Sequence, residues 1–330
     1  MCGYTIRMAK MRIGVLRGGP SSEYDISLKT GGHVLRNLSE EKYHPQDIFI
    51  SKSGVWHVRG LETPLERALK GLDVVFNALH GEYGEDGTIQ RVLETHGVPY
   101  TGSGALASAR AMNKVLAKEA VRRLGIRTPH HVIMERSNED LKRRVFDLFR
   151  SSPQPSIIKP IGKGSSIGVI FAGSFEELLS AIEEALRESP QVLVEEFIRG
   201  REATCGVVEG LRGERHYALF PIEIKLPKGK QIFDYDAKYV SGCDTHCPGH
   251  FTTEEKQQLE GATRAVHEVL GLRHYSRSDF IVTPRGVYFL EVNTLPGLAE
   301  NSLVPRALKE AGYTFPEFLD HVISLAVNGK

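Results

Sequence analysis

The sequence predicts an α/β amino-terminal domain with a parallel sheet, followed by α+β lobes. Three observations carry this prediction. Buried-type strands at residues 12–16 and 73–79 each run through a glycine-rich loop into a helix, the repeating unit of a parallel sheet. From Asn113 the texture changes, and strands follow one another across a Gly/Ser loop and across Pro284-Arg285-Gly286. The length of 330 residues is enough for two or three domains. We expect an amino-terminal α/β domain at 1–112, a central lid at 113–205 and a carboxyl-terminal lobe at 206–330.

Composition narrows the function. Hydrophobic residues make up 41% and charged residues 25%, ordinary for a globular chain. A net charge of +1 gives no electrostatic reason to invoke nucleic acid or a membrane surface. No apolar run approaches the roughly 18 residues of a membrane span, and residues 1–11 lack the apolar centre of a signal peptide. The 4 cysteines make no disulfide framework, which points to a reducing cytoplasm. Cys243, His246 and Cys247 lie among Gly and Pro with no second Cys/His pair, so zinc is disfavoured there.

Along the chain, the first strand ends in Arg17-Gly-Gly-Pro-Ser-Ser22, and a helix is expected over 27–38. Strand, glycine turn and helix together present backbone N–H groups to an anion. Neither G-x-G-x-x-G nor G-x-x-x-x-G-K-[ST] occurs, which argues against a Rossmann dinucleotide site and a P-loop. The second strand leads through the loop from His80 to Gly87 into a helix over 88–96. Ligands bind at the carboxyl ends of parallel strands, so His80, Glu85 and Glu23 should gather on one edge.

The helix at 114–124 stops at Gly125 and Pro129. A strand at 131–134 and a helix at 140–150, capped by Ser137, follow. Ser156-Ile-Ile-Lys-Pro160 then enters Ile161-Gly-Lys-Gly-Ser-Ser-Ile-Gly168, a flap whose N–H and hydroxyl groups can close over phosphates. Lys159, on a strand otherwise made of Ile, needs an anionic partner or an escape to water. Ser174-Phe-Glu-Glu177 reads as a capping box for a helix to residue 187, and strands at 191–198 and 203–208 complete the lid. Residues 234–244 have no sustained periodicity, as in a long functional loop. A helix over 253–270 ends at Gly271, and helices at 302–311 and 315–327 close the chain.

Between them lies a hairpin, residues 277–293. With Arg285 at its tip, Thr283 should face Val287, Ile281 should face Phe289, and Asp279 should face Glu291. Phe280, Val282, Tyr288, Leu290 and Val292 would then share the apolar face, opposite Asp279, Glu291 and Asn293. Facing carboxylates repel. Either they are solvated acids on an exposed face, or a cation sits between them. Asp, Glu and Asn are hard oxygen donors that suit Mg²⁺ completed by water and phosphate oxygens.

This order of segments resembles the ATP-grasp superfamily, in which two α+β lobes hold ATP and Mg²⁺. Within it the chain is similar to the D-alanine–D-alanine ligase family from Arg12 to about Val327. The segments that carry the similarity are Gly18-Gly-Pro-Ser-Ser-Glu-Tyr-Asp-Ile-Ser27, Ala78-Leu-His-Gly81 with Gly84-Glu-Asp-Gly87, and Tyr100-Thr-Gly-Ser103. Asp234-Tyr-Asp-Ala-Lys-Tyr239, Glu291-Val-Asn-Thr-Leu-Pro-Gly297 and Ser302-Leu-Val-Pro305 complete it.

The resemblance implies roles position by position. Lys114 and Lys159 would contact the ATP phosphates under the flap Gly164-Ser165-Ser166, with Glu195 at the adenine edge and Glu202 on the ribose. Asp279, Glu291 and Asn293 would bind two Mg²⁺ or Mn²⁺ ions. Glu23 would pair with the ammonium of the first D-alanine and His80 would lie near its carboxylate. Arg277 and the Gly297 N–H would polarise its carbonyl, while Ser302 and the Leu303 N–H would take the second D-alanine. Lys238 and Tyr239 would lie on the mobile loop, Tyr239 completing a network with Ser165 and Glu23.

The family further implies ligation through a D-alanyl phosphate for peptidoglycan precursors, a cytoplasmic enzyme and a homodimer. The sequence departs from the family at Lys163, usually acidic, at Tyr24, usually basic, and at Asp25, usually Glu. These changes bear on the first D-alanine site. Related depsipeptide ligases tend to carry Phe at the position of Tyr239, so Tyr favours the dipeptide over D-alanyl-D-lactate. Another ATP-grasp carboxylate–amine ligase is the remaining alternative.

Overall fold

The structure is a computed structural model that describes residues 9–162, 168–226 and 244–329. Its first sheet has the order β4-β3-β2-β1-β5. β1 (Met11–Gly18) runs parallel to β2 (Tyr43–Ile50) and β5 (Val74–Asn77), whereas β3 (Trp56–Val58) and β4 (Leu61–Glu62) add antiparallel. Each expected strand–loop–helix unit is present. α1 (Tyr24–Asn37) starts nearly a turn earlier than expected, because the Glu23 carbonyl already accepts the Ser27 N–H. α2 (Leu65–Leu69) is a short helix, and α3 (Thr88–Thr95) follows the second glycine loop.

α4 (Ala105–Met112) and α5 (Lys114–Arg122) lead towards the lid, with Asn113 capping α5 through Val115 N–H and Leu116 N–H. The lid is an antiparallel sheet, β6-β9-β7-β8, made of β6 (His131–Glu135), β7 (Ser156–Pro160), β8 (Ile170–Ala172) and β9 (Gln191–Glu196). α6 (Leu141–Ser151) and α7 (Phe175–Glu188) bury Val145, Leu148, Leu178 and Ile182 against it.

Two caps differ from expectation. Asp140, not Ser137, caps α6, since its carboxylate accepts from Lys142 N–H and Arg143 N–H. Ser174 does cap α7, but Glu177 returns its bond to Gly173 N–H and not to the cap residue.

The strand expected to finish the lid leaves it. β10 (Arg201–Glu209) belongs to the third sheet, ordered β13-β12-β10-β14-β15 with β11 (His216–Ala218) also on β10. β12 (Ile222–Lys225) and β13 (Asp244–His246) extend one edge, and β14 (Tyr275–Thr283) and β15 (Gly286–Asn293) form the hairpin. α8 (Thr253–Val269), opened by the Thr252/Glu255 capping box, packs Leu259 and Val266 on Phe280 and Phe289. Ala117 and Val121 of α5 join the same core.

α9 (Leu303–Glu310) and α10 (Phe315–Asn328) end the chain. Phe318, Leu319 and Val322 of α10 share a core with Ile13, Val15 and Phe76 of the first sheet and with Val208 and Tyr275 of the third. One apolar core therefore locks the two outer sheets together, and the lid has its own. No described helix is long and apolar enough to cross a membrane.

Candidate active site

The hairpin corrects its expected register and keeps its chemistry. The turn is one residue tighter than predicted: Thr283 faces Gly286, Val282 faces Val287, Ile281 faces Tyr288 and Phe280 faces Phe289. Between Phe280 and Asp279 the pairing shifts, Leu290 is left over as a bulge, and Asp279 faces Glu291 as expected. Phe289 thus joins Phe280, Val282 and Val292 in the core, while Tyr288 and Leu290 turn to the other face with Ile281 and Ile198. The exchange follows from the period of two, because a one-residue slip inverts every side chain.

On the inner face, Asp279 is heavily bonded. Its Oδ1 accepts from Thr204 Oγ1 at 2.6 Å and Arg277 Nε at 2.9 Å. Its Oδ2 accepts from Arg277 Nη2 at 3.0 Å and lies 3.3 Å from the Asn293 amide nitrogen. Glu291 Oε2 is 3.4 Å from Lys114 Nζ, at the first turn of α5. Two carboxylates and an amide oxygen are hard donors of the kind Mg²⁺ and Mn²⁺ take. An Asn amide turns over without changing shape, so its oxygen can face a cation. The set fits such an ion.

The lid brings a second charged group over this face. Glu195, buried on β9, accepts Lys159 Nζ at 2.6 Å on one oxygen and lies 2.9 Å from Lys118 Nζ on the other. Lys159 thereby has the anionic partner its position demanded. Burial would raise the Glu195 pKa, but Lys118 and Lys159 outweigh it and hold the group at about 2. Burial pulls the Lys118 ammonium down to about 8 despite Glu195. Lys118 Nζ also donates to the carbonyl of Leu290, the bulge residue, at 2.9 Å. Glu202, on β10 opposite Ile281, acts electrostatically on Lys159 and so belongs to the same region.

The first domain contributes buried polar groups at the carboxyl end of its sheet. Glu23 is buried beside Gly81, whose φ of +67° and close approach to Ser21 Oγ and Glu23 Oε1 leave no room for a Cβ. His80 is fully enclosed, with Nε2 2.8 Å from Thr30 Oγ1. Burial first, and the nearby Arg277 charge as well, lower its pKa to about 4 against a hydrogen bond to the Leu295 backbone, so the ring is neutral at pH 7. Glu85 accepts from Gly81 N–H on Oε2, and from Thr294 Oγ1 and Leu295 N–H on Oε1. His80, Glu85 and Glu23 do gather on one edge.

Glu85 and Thr30 fasten the loop that leaves β15. Leu298 N–H reaches Thr30 Oγ1, and the loop brings Gly297 close against Ser302 Oγ. Ser302 stands at the N-cap of α9 without using its hydroxyl as a cap. That hydroxyl and the Leu303 N–H therefore sit at a helix N-terminus suited to a carboxylate. Gly164, Ser165, Ser166, Lys238 and Tyr239, with Lys163, lie outside the described residues. Sequence reasoning missed Lys118 and Thr30, and gave Glu85 a place but no task.

Two family models match the chain, "D-ala D-ala ligase N-terminus" over residues 12–68 and 60–103 and "D-ala D-ala ligase C-terminus" over residues 120–324. The chain belongs to the D-alanine–D-alanine ligase family. Curated relatives include the D-alanine–D-alanine ligase of Geobacter sulfurreducens, 40% identical over 94% of this chain and 93% of that protein. The Aquifex aeolicus enzyme is 38% identical over 95% of this chain and 100% of its own.

Among solved structures, the VanG D-Ala:D-Ser ligase from Enterococcus faecalis superposes with a TM-score of 0.85 at 32% identity, covering 96% of this chain and 100% of that one. The Bacillus anthracis D-alanine–D-alanine ligase complexed with ATP gives 0.80 at 32%, covering 98% of both. The chain is thus an ATP-grasp enzyme, an ATP-dependent ligase by family.

Proposed function

We propose that this ligase joins two D-alanines into D-alanyl-D-alanine at the expense of ATP, in the cytoplasm, as a homodimer, for peptidoglycan precursors. The observation that carries the proposal is the meeting of Asp279, Glu291, Asn293, Arg277 and Lys114 on one sheet face in a chain of this family. A carboxylate is a poor electrophile, so it must first become an acyl phosphate by accepting the γ-phosphoryl group. That transfer needs positioning and charge neutralisation more than covalent help.

Lys114 and Lys159 would hold the phosphates, and Glu195 and Glu202 would border the nucleoside. Asp279, Glu291 and Asn293 would hold Mg²⁺ or Mn²⁺, which supplies charge neutralisation on the phosphates when bound. Glu23 would take the ammonium of the first D-alanine, and neutral His80 would sit at its carboxylate without adding a charge. Ser302 and the Leu303 N–H would bind the carboxylate of the second. When its amine attacks, the tetrahedral oxyanion would form beside Arg277 and the Gly297 N–H, donors of a kind worth about 3 kcal/mol each. Gly164, Ser165, Ser166, Lys238 and Tyr239 would cover the intermediate against water.

A D-Ala:D-Ser ligase shares the fold, so the choice of amino-acid partner decides the product. The test is ADP release with D-alanine alone, then with D-alanine beside D-serine or D-lactate over a range of pH, and products identified by mass. D-Alanyl-D-alanine should dominate. Absence of ADP release with D-alanine and Mg²⁺ would sink the assignment.

A further inference from the structure

At the far end of the third sheet, the last residue of β10 and the first of β11 stand opposite each other: Glu209 faces His216 across the antiparallel pair. The last turn of α8 lays His267 over them, fully buried. Glu209 Oε1 lies 3.5 Å from His267 Nε2 and 3.8 Å from His216 Nε2, and all three atoms fall within 4.8 Å of one another. The cluster is separate from the ligation site. Asp279 pairs with Thr204, and Glu209 is five residues further along β10, roughly 17 Å at the rise of a strand.

These atoms stand apart from their neighbours in their hydrogen bonding. His274 and His321 also surround Glu209, but one ring nitrogen of each is engaged by backbone. Gly102 N–H donates to His274 Nδ1, and His321 Nε2 donates to the Glu209 carbonyl. His267 Nδ1 is held 2.8 Å from Ser276 Oγ, which fixes the ring, while its buried Nε2 has no hydrogen-bond partner and points at the carboxylate. At 3.5 Å from Glu209 Oε1 this nitrogen is at the outer limit of a hydrogen bond, so a proton or a metal ion must join the two.

Glu209 is oriented in turn by the His274 N–H at 2.6 Å on its other oxygen. An oriented carboxylate and an imidazole anchored through its second nitrogen are the supports that ligands of a transition ion normally have. Tetrahedral ligation at metal–ligand distances of ~2.0–2.1 Å places ligand atoms about 3.3 Å apart. The 3.5 Å gap from Glu209 to His267 and the 3.8 Å gap from Glu209 to His216 are close to that spacing. Glu209 keeps a quarter of its side chain exposed, which leaves a path for the ion and a fourth position for water.

We propose that Glu209, His216 and His267 form a divalent transition-metal site of the zinc class, tying the β10–β11 turn to the end of α8. Two imidazoles and one carboxylate favour Zn²⁺ or Co²⁺ over Mg²⁺, which prefers oxygen alone. The site is structural and lies outside the ligation chemistry.

The test uses the full chain, stripped with EDTA, with the nucleotide site filled by ADP and excess Mg²⁺. Zn²⁺ is titrated by calorimetry into wild type, His216→Ala and Glu209→Gln, each checked for an unchanged circular dichroism spectrum. One Zn²⁺ should bind wild type, at least tenfold more tightly than either variant, and Co²⁺ should give wild type a tetrahedral visible absorption that both lack. Ligase activity with Mg²⁺ should be the same in His216→Ala and wild type. Equal Zn²⁺ affinity and equal Co²⁺ spectra in all three proteins, or no Zn²⁺ uptake by wild type, would overturn the site.

Discussion

Asp279 stands opposite Glu291 because Leu290 bulges out of β15, and the carbonyl of that bulge is taken by Lys118 Nζ at 2.9 Å. Without the bulge, the two-residue turn would place Asp279 opposite Leu290 and offset the carboxylates by one residue. A bulge also leaves a backbone group without a sheet partner. Here the orphan carbonyl receives the same ammonium that lies against Glu195 of the lid. The metal-type face and the lid are thus joined through one lysine.

Lys118→Met should therefore be costly. It removes a donor from the bulge and leaves Glu195 buried with Lys159 as its remaining cation. Breaking a buried pair typically costs about 3–5 kcal/mol, and the surviving lysine should keep the loss near the lower end. Urea denaturation would measure it. Lys118→Met with Glu195→Gln should not recover stability, because the buried Lys159 ammonium then loses the carboxylate it meets at 2.6 Å. If the single variant is as stable as wild type, the buried triad is energetically idle.

Glu291→Gln tests the inner face directly. It keeps the shape but removes a charge from the pair with Lys114 and from the donor set. Turnover should fall by about 100-fold or more, the scale of several kcal/mol lost from metal-assisted charge stabilisation. The denaturation midpoint should move little, since the group is partly exposed. Steady-state kinetics in Mg²⁺ and Mn²⁺ would check this, and full activity would remove the carboxylate from the chemistry.

How much of this was legible in the sequence depends on how local the cause was. The β1 and β5 units, the hairpin and the acid pair show in periodicities of a few residues. The tip was misread because Pro284-Arg285-Gly286 suits a two- or a three-residue turn equally. β2 went unseen since Tyr43-His-Pro-Gln-Asp47 lacks an apolar run. Pro45 is tolerated there because β3 pairs only with residues 48–50. Lys118 was illegible in principle: a lysine on an amphipathic helix reads as solvated, and its partners Glu195 and Leu290 come from other sheets. The same holds for Glu209, His216 and His267, whose spacing matches no ligand motif.

Acid should weaken the fold before the carboxylates titrate. Burial lowers His80 and His274 from 6.5 to about 4. Between those values the unfolded chain binds protons that the folded chain refuses, so stability is present above pH 6.5 and is lost as pH falls towards 4. Each ring can remove up to about 3 kcal/mol over that window. Glu195 adds a further loss only below about 4.5, where its unfolded form protonates and the folded form, at about 2, does not. Urea midpoints at pH 7.5, 6 and 5 should decline steadily, and His80→Gln should flatten the slope. A midpoint independent of pH across this range would mean the rings charge as readily inside as out.

Ser302→Ala separates a helix cap from a ligand group. Serine at an N-cap usually contributes about 1 kcal/mol through a side-chain bond to a first-turn N–H. Ser302 makes no such bond, and its neighbour across the gap is Gly297, close enough that a Cβ there would lie 3.2 Å from Ser302 Oγ. The hydroxyl has been left to the space between the β15 exit loop and α9. Its removal should leave the denaturation midpoint nearly unchanged. If it binds the second D-alanine, the loss of one hydrogen bond to a charged group costs about 1.5–3 kcal/mol. KM for the second substrate should then rise by roughly tenfold or more, with KM for ATP unmoved. A drop in stability with unchanged KM would return Ser302 to the role of an ordinary cap, and the helix N-terminus would lose its assigned ligand.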